Sequence, residues 1–188
     1  MSPAVARSRR RAAGIGGLIA LVLMLGSGCE GGERGEGAPL EPLGPAPEFL
    51  LPLLAGGEVE LAELRGKTVI LDFWATWCGP CEVQMPILDA LWRERGKGNL
   101  AIVGISVDTD PPAQVAAWVE ERGFEYPIAF GDQELAMRYG ILGFPSLILI
   151  DPEGRIQARH TGVWSREEID ERLESIERPS AGDAPGEG

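Results

Sequence analysis

Hydrophobic and polar positions divide the middle of this chain into alternating strand and helix segments. Two near-continuous apolar runs, at residues 68–74 and 100–107, have the composition of central strands covered on both faces. Apolar side chains recur at helical spacing in three further segments, residues 82–95, 113–121 and 133–139. On the first of these helices, the pattern predicts an inner face made of Val83, Leu88, Leu91 and Trp92.

Shorter strand and turn signals complete the element order. Residues 49–54 and 58–61 flank Ala55-Gly56-Gly57, which predicts a β-hairpin. Residues 146–150 and 156–161 predict an antiparallel pair joined by the turn Asp-Pro-Glu-Gly. Ser165-Arg-Glu-Glu168 is a capping box for a last helix. The order predicts an α/β fold, with a mixed central sheet flanked by helices and an N-terminal hairpin.

Cys78 and Cys81 follow the first apolar run and open the first predicted helix. The start of a helix presents unpaired backbone N–H groups and the positive end of the helix dipole, and both favour thiolate over thiol. Cys81 lies one turn later, where it can attack a mixed disulfide formed at Cys78. The spacing therefore predicts dithiol–disulfide exchange, with Cys78 as the exposed nucleophile and Cys81 as the resolving thiol.

Two other uses of this cysteine pair are a zinc site and a structural disulfide. Tetrahedral zinc needs four ligands, and the rest of the chain offers only His160 and Cys29. Because Cys29 has another expected use at the N-terminus, described below, a complete zinc site cannot be built within one chain. A disulfide that closes so short a loop removes little chain entropy and stabilises weakly. A C-x-x-C segment placed after a strand and at the start of a helix favours the redox use.

The N-terminus has the layout of an export signal. Four arginines at positions 7 to 11 precede the uncharged apolar run of residues 12–25, and Gly26-Ser27-Gly28-Cys29 follows. This resembles a bacterial lipoprotein signal peptide over residues 1–28, with Cys29 as the lipidated residue. An uncleaved signal anchor is the alternative, since Gly26 stands where leucine is usual. Both predict a folded part that lies outside the cytoplasm and is tethered to a membrane.

Composition and charge indicate the domain limits and exclude some classes of partner. Residues 29–45 and 178–188 are rich in glycine, proline and glutamate and have no periodicity, which predicts a flexible tether and a disordered tail. Residues 46–177 remain as one domain. The net charge of −12, with four basic residues inside the predicted signal, argues against nucleic acid as a partner. A single histidine argues against a multi-histidine metal site, and we expect neither metal nor cofactor.

Residues 72–81, Asp-Phe-Trp-Ala-Thr-Trp-Cys-Gly-Pro-Cys, resemble the active-site segment of the thioredoxin superfamily. The upstream hairpin, the Gly-Ile-Ser-Val-Asp strand at 104–108 and Gly-Phe-Pro-Ser at 143–146 resemble its membrane-tethered, extracytoplasmic TlpA/ResA branch. The similarity covers residues 46–177. It implies a thioredoxin-like fold and thiol–disulfide oxidoreductase activity.

The resemblance also implies roles for individual residues. Asp72 matches the acid that exchanges a proton with the resolving thiol; the alternative is a structural acid. As the one acid in residues 68–74, it is expected either to be buried or to face a polar pocket, and burial would raise its pKa. Pro145 matches the cis-proline that faces the cysteine pair. Phe144 would then offer its backbone to an extended substrate segment. Trp77 is interpreted as a partly exposed edge of the site that contacts substrate.

The expected function is reduction of disulfides in cysteine-containing proteins, with apocytochrome c as one candidate substrate. In an oxidising compartment a reductant must be recharged, which implies a membrane electron donor of the DsbD or CcdA type. A peroxiredoxin-like thiol peroxidase is one alternative, but it would carry proline and threonine where Leu71 and Ala75 stand. A copper-handling lipoprotein is another; it could add only Met85, which we expect in the core.

Overall fold

The computed structural model describes residues 42–96 and 98–178. The predicted signal peptide, Cys29, most of the predicted tether and residues 179–188 of the predicted tail lie outside this part of the chain. Within it the elements are β1 (Leu50–Pro52), β2 (Glu58–Glu60), β3 (Thr68–Trp74), α1 (Cys81–Arg95), β4 (Leu100–Ser106), α2 (Pro112–Arg122), β5 (Ile128–Phe130), α3 (Gln133–Arg138), β6 (Ser146–Ile150), β7 (Ile156–Thr161) and α4 (Arg166–Glu177). None of these helices has the length and apolar character required to cross a membrane.

Five strands form one mixed sheet in the order β5-β4-β3-β6-β7. β4 pairs parallel to β3, and β5 pairs parallel to β4. β6 is antiparallel to β3, and β7 is antiparallel to β6. The strands β1 and β2 form a separate hairpin that turns at Gly56 and Gly57, whose φ angles of +94° and +82° favour glycine. The predicted mixed sheet and N-terminal hairpin are confirmed.

The central strand β3 is buried on both faces, so its side chains divide between two apolar layers. One layer holds Val69, Leu71 and Phe73 and is covered by α3 and the β1–β2 hairpin. The other holds Ile70 and Trp74 and is covered by α1, α2 and α4. Both cysteines of the C-x-x-C segment belong to this second layer. Asp72 faces the same layer, because it alternates with Ile70 and Trp74 along the strand.

The predicted inner face of α1 is wrong at one position. Val83 is 58% exposed, whereas Gln84 and Met85 are fully buried. The helix begins at Cys81, and the inward stripe runs from Cys81 through this pair to Leu88, at the spacing of successive helical turns. Val83 falls between two turns of that stripe and therefore faces solvent.

Contacts to the sheet begin a few residues before position 46, where the sequence places the start of the domain. The Leu43 N–H donates to the carbonyl of Ile156 at 2.7 Å, and the Ile156 N–H donates to the carbonyl of Gly44 at 2.8 Å. The Ala46 N–H donates to the carbonyl of Gly154 at 2.9 Å. The polypeptide entering the domain is thus hydrogen-bonded beside the edge strand β7.

Candidate active site

Cys78 and Cys81 form a disulfide at the start of α1, with their Cα atoms 5.3 Å apart. Cys81 is fully buried and Cys78 is 5% exposed. The prediction that Cys78 is exposed is therefore wrong for this disulfide form, although Cys78 is the more accessible of the two. Its side chain is covered because it packs into the apolar layer that also contacts Phe144.

The backbone at the helix start is arranged to favour negative charge on Cys78. The Cys81 N–H lies 3.2 Å from Cys78 Sγ and donates toward it. The same donor can stabilise a thiolate once the disulfide is opened, because a hydrogen bond to the charged form favours that form. No such bond is formed to the sulfur of Cys81 among the described residues, and apolar side chains surround it. Cys81 therefore needs a base before it can act as a nucleophile.

Asp108, directly beyond β4, holds the turn that leads into the cysteine pair. Its carboxylate accepts hydrogen bonds from the Thr76 N–H at 3.0 Å, the Thr76 hydroxyl at 2.6 Å and the Ser106 hydroxyl at 2.8 Å. The Cys78 N–H in turn donates to the carbonyl of Ala75 at 3.0 Å. The sequence does not single out Asp108, yet an acid directly after a buried strand parallel to β3 was a usable signal, since the carboxyl ends of parallel strands meet at one sheet edge.

Asp72 is a fully buried acid in the middle of β3. Burial raises its pKa from 3.8 to about 7, while a hydrogen bond from the Tyr126 hydroxyl lowers it. That hydroxyl donates to Oδ2 at 3.1 Å, and Oδ1 has no hydrogen-bond partner among the described residues. Of the two settings that the sequence allows for Asp72, the buried one is observed, and its pKa is raised as expected for a buried carboxylate. A carboxyl with a pKa near neutrality can either accept or release a proton under physiological conditions.

Tyr126 was not anticipated as a residue of the site. It reaches Asp72 over Gly104, which pairs directly with Asp72 across β3 and β4. A Cβ atom at position 104 would lie 3.0 Å from Tyr126 Cε2 and 3.2 Å from Trp74 Nε1, so the tyrosine ring occupies space that only glycine leaves free. The signal was available in the sequence, because glycine inside a buried strand often marks a close approach by another group.

Pro145 and two aromatic side chains complete the site. The Phe144–Pro145 peptide bond is cis, as the resemblance implies, and Pro145 is buried. Trp77 is 66% exposed, and its ring meets the half-buried ring of Phe144 edge-on with centroids 5.7 Å apart. The structure thus brings together Trp77 and Phe144, which the sequence predicts to contact substrate.

The potential metal ligands are dispersed. Within residues 42–96 and 98–178, the structure shows no group of three or more His, Cys, Asp or Glu side chains that could hold a metal ion. Met85 is fully buried in the core, as predicted. The ring of His160 stacks on Trp164 with centroids 4.6 Å apart. The residue proposed for lipidation, Cys29, lies outside the described residues.

A five-stranded mixed sheet with a C-x-x-C disulfide at the start of α1 and a cis-proline directly before β6 defines a thioredoxin-like thiol–disulfide oxidoreductase. Comparison with known proteins agrees: the AhpC/TSA family matches residues 43–159, and the chain belongs to this family. Thiol-disulfide oxidoreductase ResA of Geobacillus thermodenitrificans (strain NG80-2) is 37% identical over 132 residues, which cover 70% of this chain and 75% of ResA.

Solved structures show the same relationship. A thiol:disulfide interchange protein of the thioredoxin family from Chlorobium tepidum TLS superposes with a TM-score of 0.65 at 27% identity, covering 74% of this chain and 99% of that protein. The pneumococcal exposed lipoprotein thioredoxin of Streptococcus pneumoniae strain TIGR4 superposes with a TM-score of 0.64 at 25% identity, covering 69% of this chain and all of that structure.

Proposed function

We propose that this protein is a membrane-tethered reductase of disulfide bonds in extracytoplasmic proteins. The observation that carries the proposal is the position of the Cys78–Cys81 pair on the same side of the sheet as Asp72, a buried acid whose pKa is about 7. A dithiol supplies two electrons to a substrate disulfide, and a nearby acid of this pKa can move the proton that the second step requires.

The first step is attack by the Cys78 thiolate on one sulfur of a substrate disulfide. The new bond joins Cys78 Sγ to that sulfur, the substrate S–S bond breaks, and the other substrate sulfur leaves as a thiolate that takes a proton from water. The Cys81 N–H, 3.2 Å from Cys78 Sγ in the disulfide, stabilises the attacking thiolate. Cys78 is the more accessible cysteine, which suits it to this step.

The second step resolves the mixed disulfide. Asp72 in its carboxylate form accepts the proton of the Cys81 thiol, and the resulting thiolate attacks Cys78 Sγ. The Cys78–Cys81 disulfide forms, and the second substrate sulfur leaves as a thiolate that takes a proton from water, while Asp72 releases the Cys81 proton to the solvent and returns to its carboxylate form. The substrate has gained two electrons and two protons, and the enzyme is left in the oxidised form seen in this structure.

Trp77 and Phe144 supply the substrate contact in this proposal. Their rings form an edge-to-face pair beside the disulfide, and Trp77 is mostly exposed. Aromatic side chains of this kind offer large contact area at small cost in conformational entropy. The backbone of Phe144, next to Pro145, would pair with an extended segment that carries the substrate cysteine.

The proposed direction of disulfide exchange and the proposed membrane anchor are supported by sequence features and by the similar proteins. Gly79-Pro80 between the cysteines favours reduction, which requires a membrane electron donor of the DsbD or CcdA type to return two electrons. Apocytochrome c is one candidate substrate. The signal-like residues 1–28 that end before Cys29 support a lipid anchor, and one structural neighbour is itself an exposed lipoprotein. The folded part would then lie on the outer side of a bacterial membrane.

Two cysteine variants test the catalytic assignment. Cys78→Ser should abolish reduction of insulin disulfides, because no other thiol begins the attack. Cys81→Ser should accumulate mixed disulfides with substrate, because the second thiol is missing. Cys29→Ala is the matched control, since it removes the remaining cysteine but leaves both reacting sulfurs. Multiple turnover by Cys81→Ser at the wild-type rate would rule out the two-thiol mechanism.

The reduction potential tests the direction. Equilibration of the full-length protein with glutathione buffers should give a value nearer that of thioredoxin, about −270 mV, than that of the oxidant DsbA, about −120 mV. A value near the oxidising end would reverse the proposed direction. Hydrogen peroxide turnover distinguishes the thiol peroxidase alternative, which we expect to be absent because Ala75 offers no hydroxyl near the cysteine pair.

A further inference from the structure

Asp72 has few polar neighbours that could control its proton. Across the sheet it pairs with Gly104 and Leu147, which carry no charge. The buried titratable side chains on the elements of this layer, within the described residues, are Cys78 directly before α1, Cys81 and Asp89 on α1, Asp108 beyond β4 and Tyr126 before β5. The layer's side chains from α2 and α4 are apolar, Val115, Ile169 and Leu173. Tyr126 is the only one of these groups that forms a hydrogen bond with the Asp72 carboxyl.

The Tyr126 hydroxyl is held in place from two sides. Gly104 leaves the space through which the ring passes, since a Cβ atom there would lie 3.0 Å from Tyr126 Cε2. Asp89, on the helix that begins at Cys81, accepts the backbone N–H of Tyr126 at 3.3 Å and that of Glu125 at 2.6 Å. Arg93 pairs with the other oxygen of Asp89 at 2.7 Å. The active-site helix therefore fixes the backbone of the residue that contacts Asp72.

We propose that Tyr126, placed by Gly104 and Asp89, is a positioning residue of the exchange reaction: its hydroxyl orients the Asp72 carboxyl and determines how readily that carboxyl takes the proton of Cys81. The proposal rests on the proposed function, in which Asp72 is the base of the second step. In that step Asp72 accepts the Cys81 proton, a Cys81–Cys78 bond forms and the substrate thiolate leaves, while Tyr126 keeps its own proton throughout.

Two physical effects support this role. Burial, with the neighbouring Asp72 carboxylate, raises the pKa of Tyr126 well above its ordinary value, so the hydroxyl remains a donor. A hydrogen bond donated to a carboxylate favours its charged form, and this bond lowers the pKa of Asp72 against the larger effect of burial. Without the hydroxyl, Asp72 would hold its proton to higher pH and would accept the Cys81 proton less readily at neutrality.

The test is the pH dependence of the resolving step in Tyr126→Phe. The full-length chain in a Cys29→Ala background is reduced and mixed with 5,5′-dithiobis(2-nitrobenzoic acid), which Cys78 attacks to give a mixed disulfide. Attack by Cys81 then releases a second thionitrobenzoate, whose rate is followed from pH 5 to 9. We expect the midpoint of this second phase to move up by about one pH unit, as loss of one charge-assisted hydrogen bond predicts.

Tyr139→Phe is the matched control. Tyr139 is also buried, but its hydroxyl donates to the carbonyl of Pro47 at 2.6 Å on the opposite face of the sheet. Its removal should lower stability without moving the midpoint. Gly104→Ala is a second variant that disturbs the Tyr126 ring and keeps the hydroxyl, and it should move the midpoint in the same direction as Tyr126→Phe.

The outcomes separate this inference from the proposed function. If Asp72→Asn removes the midpoint near neutrality and Tyr126→Phe leaves it unmoved, Asp72 is the base and the role of Tyr126 is refuted. If Asp72→Asn keeps the wild-type profile, both the base and its positioning residue are refuted. An equal shift in Tyr139→Phe would show a general effect of lost stability and would also overturn the inference.

Discussion

The change Asp72→Asn tests the physical state of the site, because it replaces a buried acid by a neutral side chain of similar shape. The pKa of Asp72 is raised from 3.8 to about 7, and the side chain is fully buried. A shift of about three units corresponds to about 4 kcal/mol lost from the free energy of unfolding when the carboxyl ionises, at about 1.36 kcal/mol per unit. Asparagine does not ionise, but its buried amide N–H groups can cost about 1–3 kcal/mol where they lack acceptors.

Whether Asp72→Asn raises or lowers the free energy of unfolding depends on pH. Between pH 3.8 and about 7 the folded protein keeps the Asp72 proton while the unfolded chain has lost it, so the free energy of unfolding falls as pH rises through this window. Above the folded pKa the loss is complete, and below 3.8 it vanishes. Relative to wild type, Asp72→Asn should therefore be less stable by about 1–3 kcal/mol at low pH and more stable by about 1–3 kcal/mol at pH 8.

The assay is urea unfolding of the oxidised full-length chain at several pH values, followed for wild type and Asp72→Asn. The expected result is a difference in the free energy of unfolding that swings by about 4 kcal/mol between pH 4 and pH 8. Asp110→Asn, at an exposed position, controls for the loss of one negative charge. A difference between the Asp72 variant and wild type that stays constant over this range would refute the reasoning.

The same variant should slow the resolving step at neutral pH, and the rate of that step should recover as pH approaches about 8.5, the pKa of a free thiol.

Two further predictions concern the anchor and the active-site turn. Cys29→Ala should move the protein out of the membrane fraction, or leave it held only by an uncleaved signal, with insulin reduction unchanged; an unmodified Cys29 in the mature wild-type protein, found by mass spectrometry, would exclude lipidation. Asp108→Ala should lower the free energy of unfolding by about 2 kcal/mol, since both donors of Thr76 lose their acceptor, and should also slow the first attack by Cys78. Normal single-turnover kinetics in a destabilised Asp108→Ala would limit Asp108 to a structural role.

The elements of the fold could be predicted because their signals are local. The bounds of β3, β6 and β7 agree with the sequence, since a continuous apolar run and a strong turn mark their ends. The capping box at Ser165 is confirmed in both of its hydrogen bonds. The phase of α1 could not be predicted from the sequence at Val83, because Val83 and Met85 are both apolar and only packing against the sheet decides which of them is buried.

The cysteine pair and Asp72 could likewise be identified from sequence, because each breaks a local pattern at a position with chemical meaning. Gly104 signals a close approach by another group, but the sequence does not identify Tyr126 as that group, since Tyr126 lies 54 positions from Asp72 and meets it only when β5 enters the sheet beside β4. Asp108 is likewise marked by its place after the β4 run, but the sequence does not identify its partner Thr76, which is 32 positions away. Long-range hydrogen bonds of this kind depend on strand order, which a local pattern of apolar residues does not specify.

Gly104 and Tyr126, the neighbours of Asp72 in the folded protein, bear on how the fold accommodates this buried acid. Loss of about 4 kcal/mol on ionisation is a large part of the 5–15 kcal/mol by which a typical domain is stable. A hydrophobic residue at position 72 would remove that loss, because it has no charge to desolvate. An acid in a strand that is otherwise apolar and buried on both faces is expected where function requires it. The glycine at position 104 leaves room for Tyr126, whose hydroxyl lowers the pKa of the buried acid toward neutrality, as the proposed proton exchange with Cys81 requires.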